Sequence, residues 1–165
     1  MSELITDNQY ILRFLKKALI GSYYDRYSYY VTGFQLEWIN EAFPFTAEMH
    51  VSDFELADKE EWNHWINSHP FNMPNLSGPG EPAKGFLVTL LTQVCIEEVE
   101  VEYQGTLIFH FANGVKVRIK GEEEITDISW MIYFKNAADG KIGELNCSFN
   151  ELFLRMSPQL LALLR

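Results

Sequence analysis

The spacing of apolar residues switches from helical to strictly alternating in two stretches, 14–38 and 86–111, which align with each other. With Phe14 set against Phe86, the matches run Leu15/Leu87, Ala18/Leu90, Leu19/Leu91, Tyr24/Ile96, Tyr27/Val99, Tyr29/Val101, Val31/Tyr103 and Gly33/Gly105. One extra residue after the second glycine brings Phe34, Leu36 and Trp38 onto Leu107, Phe109 and Phe111. Helical spacing buries a stripe along a cylinder, whereas alternation buries one face of a pleated strand. The repeat therefore predicts an α+β fold: a mostly antiparallel sheet built from two helix–strand–strand units, with helices packed on it and a C-terminal helix. The copies span 8–56 and 86–120, and a Pro/Gly-rich loop over 69–85 joins them within one domain, 1–165.

Local signals place the elements. Asp7 caps a helix over 8–19 whose apolar face is Ile11, Phe14, Leu15, Ala18 and Leu19, and Gly21 ends it. Strands follow over Tyr23–Thr32 and Phe34–Ile39, and a third over Ala47–Leu56. Asp58 and Glu61 have capping-box spacing and open a helix that turns Trp62, Trp65 and Ile66 inward. Pro70, Pro74, Pro79 and Pro82, with Gly78, Gly80 and Gly85, mark the joining loop. The second copy reads as helix 86–94, strand 96–104, a turn at Gln104-Gly105 and strand 106–112. Asn113-Gly114 is the strongest hairpin signal and leads into Val115–Lys120. Ile128–Phe134 is apolar on both parities and reads as a central, covered strand; Asp139-Gly140 turns it into Ile142–Cys147. Ser148 and Glu151 form a second capping box, predicting a terminal helix that docks Leu152, Phe153, Met156, Leu160, Leu161 and Leu164. Pro158 either breaks this helix or opens another short one.

Composition narrows the function classes. The 165 residues include 13 Lys and Arg against 23 Asp and Glu, a formal charge of −10. Such a charge repels nucleic acid and anionic membrane surfaces and draws basic protein surfaces in, although acidity also serves solubility alone. Cys95 and Cys147 lie in apolar segments without CxxC spacing, so both are expected to be buried thiols. No signal-peptide pattern and no apolar run of about 20 residues occurs, and a cytoplasmic location is the expectation.

Motifs for catalysis are missing. His50, His64, His69 and His110 have no metal-ligand spacing, and no GxSxG, GxGxxG or GxxxxGK[ST] occurs. The chain is therefore read as a non-enzyme without metal or cofactor. The constellation that stands out is Glu98, Glu100 and Glu102, alternating with Val99, Val101 and Tyr103. If the latter are buried, the three carboxylates line one outward face about 7 Å apart, since each residue rises about 3.3 Å. Like charges in a row gain nothing for folding, but a basic partner would convert them into charge-assisted contacts. The bland account is a polar, aggregation-resistant sheet face. The first copy has Arg26, Ser28 and Tyr30 at the corresponding positions, so the acidity belongs to the second copy only. Glu122 and Glu123, with Tyr30, complete the predicted partner surface.

The stretch Val94–Val117, VCIEEVEVEYQGTLIFHFANGVKV, resembles small bacterial proteins of uncharacterised families. Several of these occur among the immunity proteins of polymorphic-toxin and contact-dependent growth-inhibition systems. The shared form is a valine pair, a glycine turn, a Leu-x-Phe-x-Phe strand and then Asn-Gly, with a weaker echo in the first copy. The resemblance implies a cytoplasmic inhibitor that occludes a cognate toxin domain, commonly a nuclease and therefore basic; it carries no catalytic or binding residue over by position. The alternatives are a small-ligand or structural module whose pocket is lined by Tyr23, Tyr24, Tyr27, Tyr29 and Tyr30, and, behind it, a hydrolase.

Overall fold

The structure, a computed structural model, describes residues 3–30, 33–51, 53–68, 70–71, 80–121 and 128–163. A short strand β1 (Glu3–Ile5), not foreseen in the sequence, precedes helix α1 (Asn8–Leu19). The Asp7 side chain accepts the Tyr10 amide at 2.6 Å, and the five residues of the expected apolar face are buried. Strands β2 (Tyr23–Tyr30), β3 (Gly33–Ile39) and β4 (Thr46–Val51) form an antiparallel meander. The expected single strand 47–56 is in fact two: β5 (Phe54–Leu56) belongs to a different sheet. Helix α2 (Lys59–Ile66) is capped as expected, with Asp58 accepting the amides of Glu60 and Glu61 at 2.9 Å.

Helix α3 (Gly80–Leu91) corrects the extent of the joining loop, whose last six residues are helical. Pro82 is the third residue of this helix, where a missing N–H costs no intrahelical bond. His69 and residues 72–79 of that loop lie outside the described residues. Then come β6 (Ile96–Val101), a 3-10 turn at Tyr103–Gly105, β7 (Leu107–Phe111) and β8 (Lys116–Ile119). Strand 96–104 thus ends early, because the Glu102 amide bonds to Thr106 O at 2.7 Å and closes the turn.

Strand β9 (Ile128–Asn136) leads into β10 (Gly140–Ser148) and β11 (Glu151–Met156), and the chain finishes in α4 (Pro158–Leu163). The expected helix from Ser148 is therefore corrected: the segment is a β-hairpin. Phe149 and Asn150 both have positive φ, 50° and 65°, as the two central residues of a tight turn with the hand of a twisted hairpin. Leu152, Leu154 and Met156 alternate inward, and Pro158 opens the short terminal helix.

Among the described residues the strands form a seven-stranded sheet, ordered β1-β11-β10-β9-β4-β3-β2, and a four-stranded sheet, β5-β8-β7-β6, antiparallel throughout. The architecture is α+β and mostly antiparallel. β9 is the middle strand of its sheet; Trp130, Ile132 and Phe134 are buried, while Met131 and Tyr133 on the other parity are half-buried. The sheets meet through aromatic rings: Trp38 lies 5.8 Å from Phe109 and 6.1 Å from Phe111, and Phe34 lies 5.2 Å from Phe54. Helix α1 reaches both sheets, with Phe14 edge-on to Phe134 at 5.0 Å and Lys16 on Glu98. The order helix–strand–strand occurs twice, but its strands fall in different sheets. Leu15/Leu87, Leu19/Leu91 and Tyr24/Ile96 are buried in both units, whereas Phe86 and Leu90 are exposed where Phe14 and Ala18 are buried.

Candidate functional site

Strand β6 is held at the edge of the four-stranded sheet by β7, with Glu98 opposite His110 and Glu100 opposite Ile108. Val99 faces the core and is fully buried, so the glutamates on the other parity point outward. A register shift between Ile96 and Glu98 leaves Glu97 exposed in a bulge beside them. Glu102 follows the strand and precedes the 3-10 turn, where Tyr103 stands 86% exposed. The expectation that Tyr103 is buried with Val99 and Val101 is corrected: the chain leaves the strand before the alternation ends.

The three carboxylates are 41–50% exposed, and each has a side-chain partner on this chain. Lys16 Nζ of α1 is 2.5 Å from Glu98, His110 Nε2 is 2.6 Å from Glu100, and Arg118 of β8 is 3.5 Å from Glu102. The bare anionic strip read from the sequence is thus a partnered row: ion pairs at Glu98 and Glu102 flank a Glu100–His110 contact, which lessens the repulsion along it. The Lys16 hydrogen bond holds the Glu98 carboxyl below its ordinary range.

The other expected site residues are not all brought to this row. Tyr30 lies on β2, in the seven-stranded sheet, and is 52% exposed. Glu122 and Glu123 lie outside the described residues. The residue before them, Gly121, is fixed: its amide donates to Thr106 Oγ1 at 3.1 Å, and its carbonyl accepts from Ser129 Oγ at 2.5 Å and from Cys147 Sγ at 3.4 Å.

Among the described residues, the five tyrosines do not come together on one pocket. Tyr24 alone of the five is buried; its ring meets Trp38 edge-on at 4.9 Å and its hydroxyl donates to Val88 O. Burial raises its pKa. Tyr27, Tyr29 and Tyr30 are exposed. The buried Trp38 Nε1 has no hydrogen-bond partner among the described residues, and Tyr24, Trp38, Val88 and Phe109 help line an apolar cavity of about 20 Å³. That is space for about one water, against the ~300 Å³ or more of a ligand pocket.

His50 bonds to Glu48 at 2.9 Å and His110 to Glu100; among the described residues no group of three His, Cys, Asp or Glu could hold a metal. Cys147 is buried and Cys95 half-buried, both as free thiols, and burial pushes the Cys147 thiol up to about 11. Among the described residues, no helix is long and apolar enough to cross a membrane. Exposed apolar residues that sequence patterning assigned inward are Tyr27, Tyr29, Phe86, Leu90 and Tyr103. Comparison with protein-family models, with curated proteins and with solved structures finds no match.

Proposed function

We propose that the protein acts by binding rather than by chemistry, as an immunity-type inhibitor that covers a basic toxin domain, nucleases being the first class to test. The observation that carries this reading is the outward carboxylate row of Glu98, Glu100 and Glu102, which ends beside the exposed ring of Tyr103. Half-exposed ion pairs of this kind are worth about 0.2–1 kcal/mol each. A partner's arginines and lysines therefore take over the carboxylates at small cost, releasing Lys16 and Arg118 to water.

The net charge of −10 steers a basic domain inward, and exposed aromatic rings supply the contacts that slow its release. Glu122 and Glu123 are assigned to the partner surface on their charge alone, and Tyr30 belongs to a second contact on β2. The same reading treats the two helix–strand–strand units as copies of one pattern, supported by the matched burial of Leu15/Leu87, Leu19/Leu91 and Tyr24/Ile96.

The test is capture from the source cells, identification of the bound protein by mass spectrometry, and titration of its activity against the purified chain. A basic partner silenced at one-to-one stoichiometry is the expected result. With that partner, the triple substitution E98Q/E100Q/E102Q slows association several-fold at low salt and flattens its salt dependence. A neutral or acidic partner, or an unchanged association rate, rejects the reading.

A further inference from the structure

The edges of the two sheets are unequal. β1 and β5 are three residues long, and β6 has α1 against it. β2, the other edge of the seven-stranded sheet, is eight residues long. Its first part is covered: Ile96 N donates to Ser22 O at 2.8 Å and Gln93 N to Tyr24 O at 3.0 Å. From Arg26 to Tyr30, among the described residues, no backbone group bonds to the outer side, and every residue is exposed.

The usual protections of such an edge are missing here. There is no proline and no lysine between Tyr23 and Tyr30. The bulge at Asp25 lies at the end already covered, and Arg26 is folded back onto Glu37 of β3 by two hydrogen bonds of 2.9 and 3.0 Å. Beside the edge stands an aromatic wall. Tyr27 donates to or accepts from Thr89 Oγ1 of α3 at 2.9 Å, and Tyr29 lies 4.9 Å from Phe34. On α3, Leu90 adjoins Thr89 and is 45% exposed, while the half-exposed Phe86 ring, one helical turn away, packs 5.7 Å from both Trp65 and Phe71.

We propose that the outer edge of β2, from Arg26 to Tyr30, accepts an extended segment of the partner as an added strand, and that this segment carries lysine or arginine. Free amides and carbonyls give the added strand its hydrogen bonds, while Tyr27, Tyr29 and the neighbouring Leu90 receive its alternate side chains. Charge selects the occupant. A second copy of this chain brings another −10 to the edge, whereas a basic segment is attracted by the whole molecule and places its cations over tyrosine faces. The basic character of the partner rests on the function proposed above; the free edge does not.

The probe is a fluorescent ten-residue peptide alternating lysine with valine and threonine, compared with versions carrying glutamate for lysine or a central proline. The lysine peptide is expected to bind and to slow amide hydrogen exchange over 26–30, with the glutamate and proline versions weaker by roughly tenfold or more. Y29K, which puts a charge on the edge and gives up the ring contact with Phe34, is expected to lose roughly tenfold in affinity while the melting temperature falls by no more than a few degrees; Y27A, measured alongside, reports on the same wall should Y29K fold poorly. Binding unaffected by both variants, equal binding of the glutamate peptide, or protection appearing over 98–103 instead overturns the proposal. A chain dimer abolished by Y29K overturns the choice of occupant. If a captured basic toxin is lost by E98Q/E100Q/E102Q but not by Y29K, the edge proposal fails and the inhibitor reading stands. If the peptide adds to β2 and no toxin is found, the reverse holds.

Discussion

Gly121→Ala tests the joint on which the acidic row and the core both depend. A Cβ at Gly121 would sit 2.1 Å from Gln104 O, 2.4 Å from Gly105 C and 2.6 Å from Thr106 N, all backbone atoms. Ordinary contact needs the turn to withdraw by about 1 Å, and the turn is not free to do so. Trp130 Nε1 donates to Gly105 O at 2.9 Å, Gly121 N to Thr106 Oγ1 at 3.1 Å, and Cys147 Sγ approaches Gln104 O at 3.6 Å. Overpacking of this kind costs about 1–3 kcal/mol, and two strained hydrogen bonds add about 1 kcal/mol each. The sum, about 3–5 kcal/mol, is a large part of the 5–15 kcal/mol typical of a domain. With about 2.1 cal/mol/K per residue, the entropy of unfolding is about 0.35 kcal/mol/K, so the melting temperature falls by roughly 10 °C. Urea and thermal unfolding followed by tryptophan fluorescence measure it. Gly114→Ala is the control: φ is +86° there, but no atom lies within 4 Å, so only the backbone penalty of about 1 kcal/mol applies. A Gly121→Ala cost within 1 kcal/mol or so of that control would refute the close approach of 121 to the 104–106 turn.

Three further outcomes follow from the packing. Asp53 lies 3.1 Å from Lys84 and 2.9 Å from Lys120; burial pushes its carboxyl up, but the Lys120 hydrogen bond and the Lys84 charge outweigh it and hold the pKa below normal. Its stabilisation is therefore complete above the unfolded value of about 3.9 and fades as pH falls through the lower folded one; Asp53→Asn costs about 1–2 kcal/mol at pH 7 and flattens the stability profile below pH 4, checked by urea midpoints across pH. In F149N/N150G, the hairpin turn gains the residues its positive φ angles favour, and the melting temperature rises by a few degrees; a helix from Ser148 would instead lose stability. In thiol labelling of the native protein at pH 8, half-buried Cys95 reacts and buried Cys147, pushed up to about 11, stays protected until unfolding; equal rates would contradict the burial.

The errors in reading the chain share a physical cause. Over 47–56 the buried residues are Ala47, Met49 and Val51, then Phe54 and Leu56: the inward parity changes from odd to even. A single strand cannot do that without a bulge, so a change of sheet between Val51 and Phe54 was visible in the letters. At the C-terminus, Ser148 and Glu151 have helical spacing, yet Leu152, Leu154 and Met156 alternate, and pairing with β10 outweighs the cap. For the carboxylate row the spacing was legible and the partners were not. Lys16 comes from a helix distant in sequence, and Arg118 reaches Glu102 only because the Asn113-Gly114 hairpin sets β8 against β7 in that register.

Whether a strand lies at an edge is a property of topology, yet its composition holds a trace of it. Ile128–Phe134, apolar on both parities, is the middle strand of seven. Tyr23–Tyr30 carries tyrosine on both parities, with no aliphatic residue at all, and takes the edge. Tyrosine tolerates water on one side and an apolar neighbour on the other, so a strand made of it remains stable unpaired and still offers contact area when a second strand arrives. An aliphatic strand left open in this way would aggregate; a lysine-rich one would be protected and closed to partners. The composition of β2 lies between these two, as a strand must if it is to stay soluble alone and yet receive another chain.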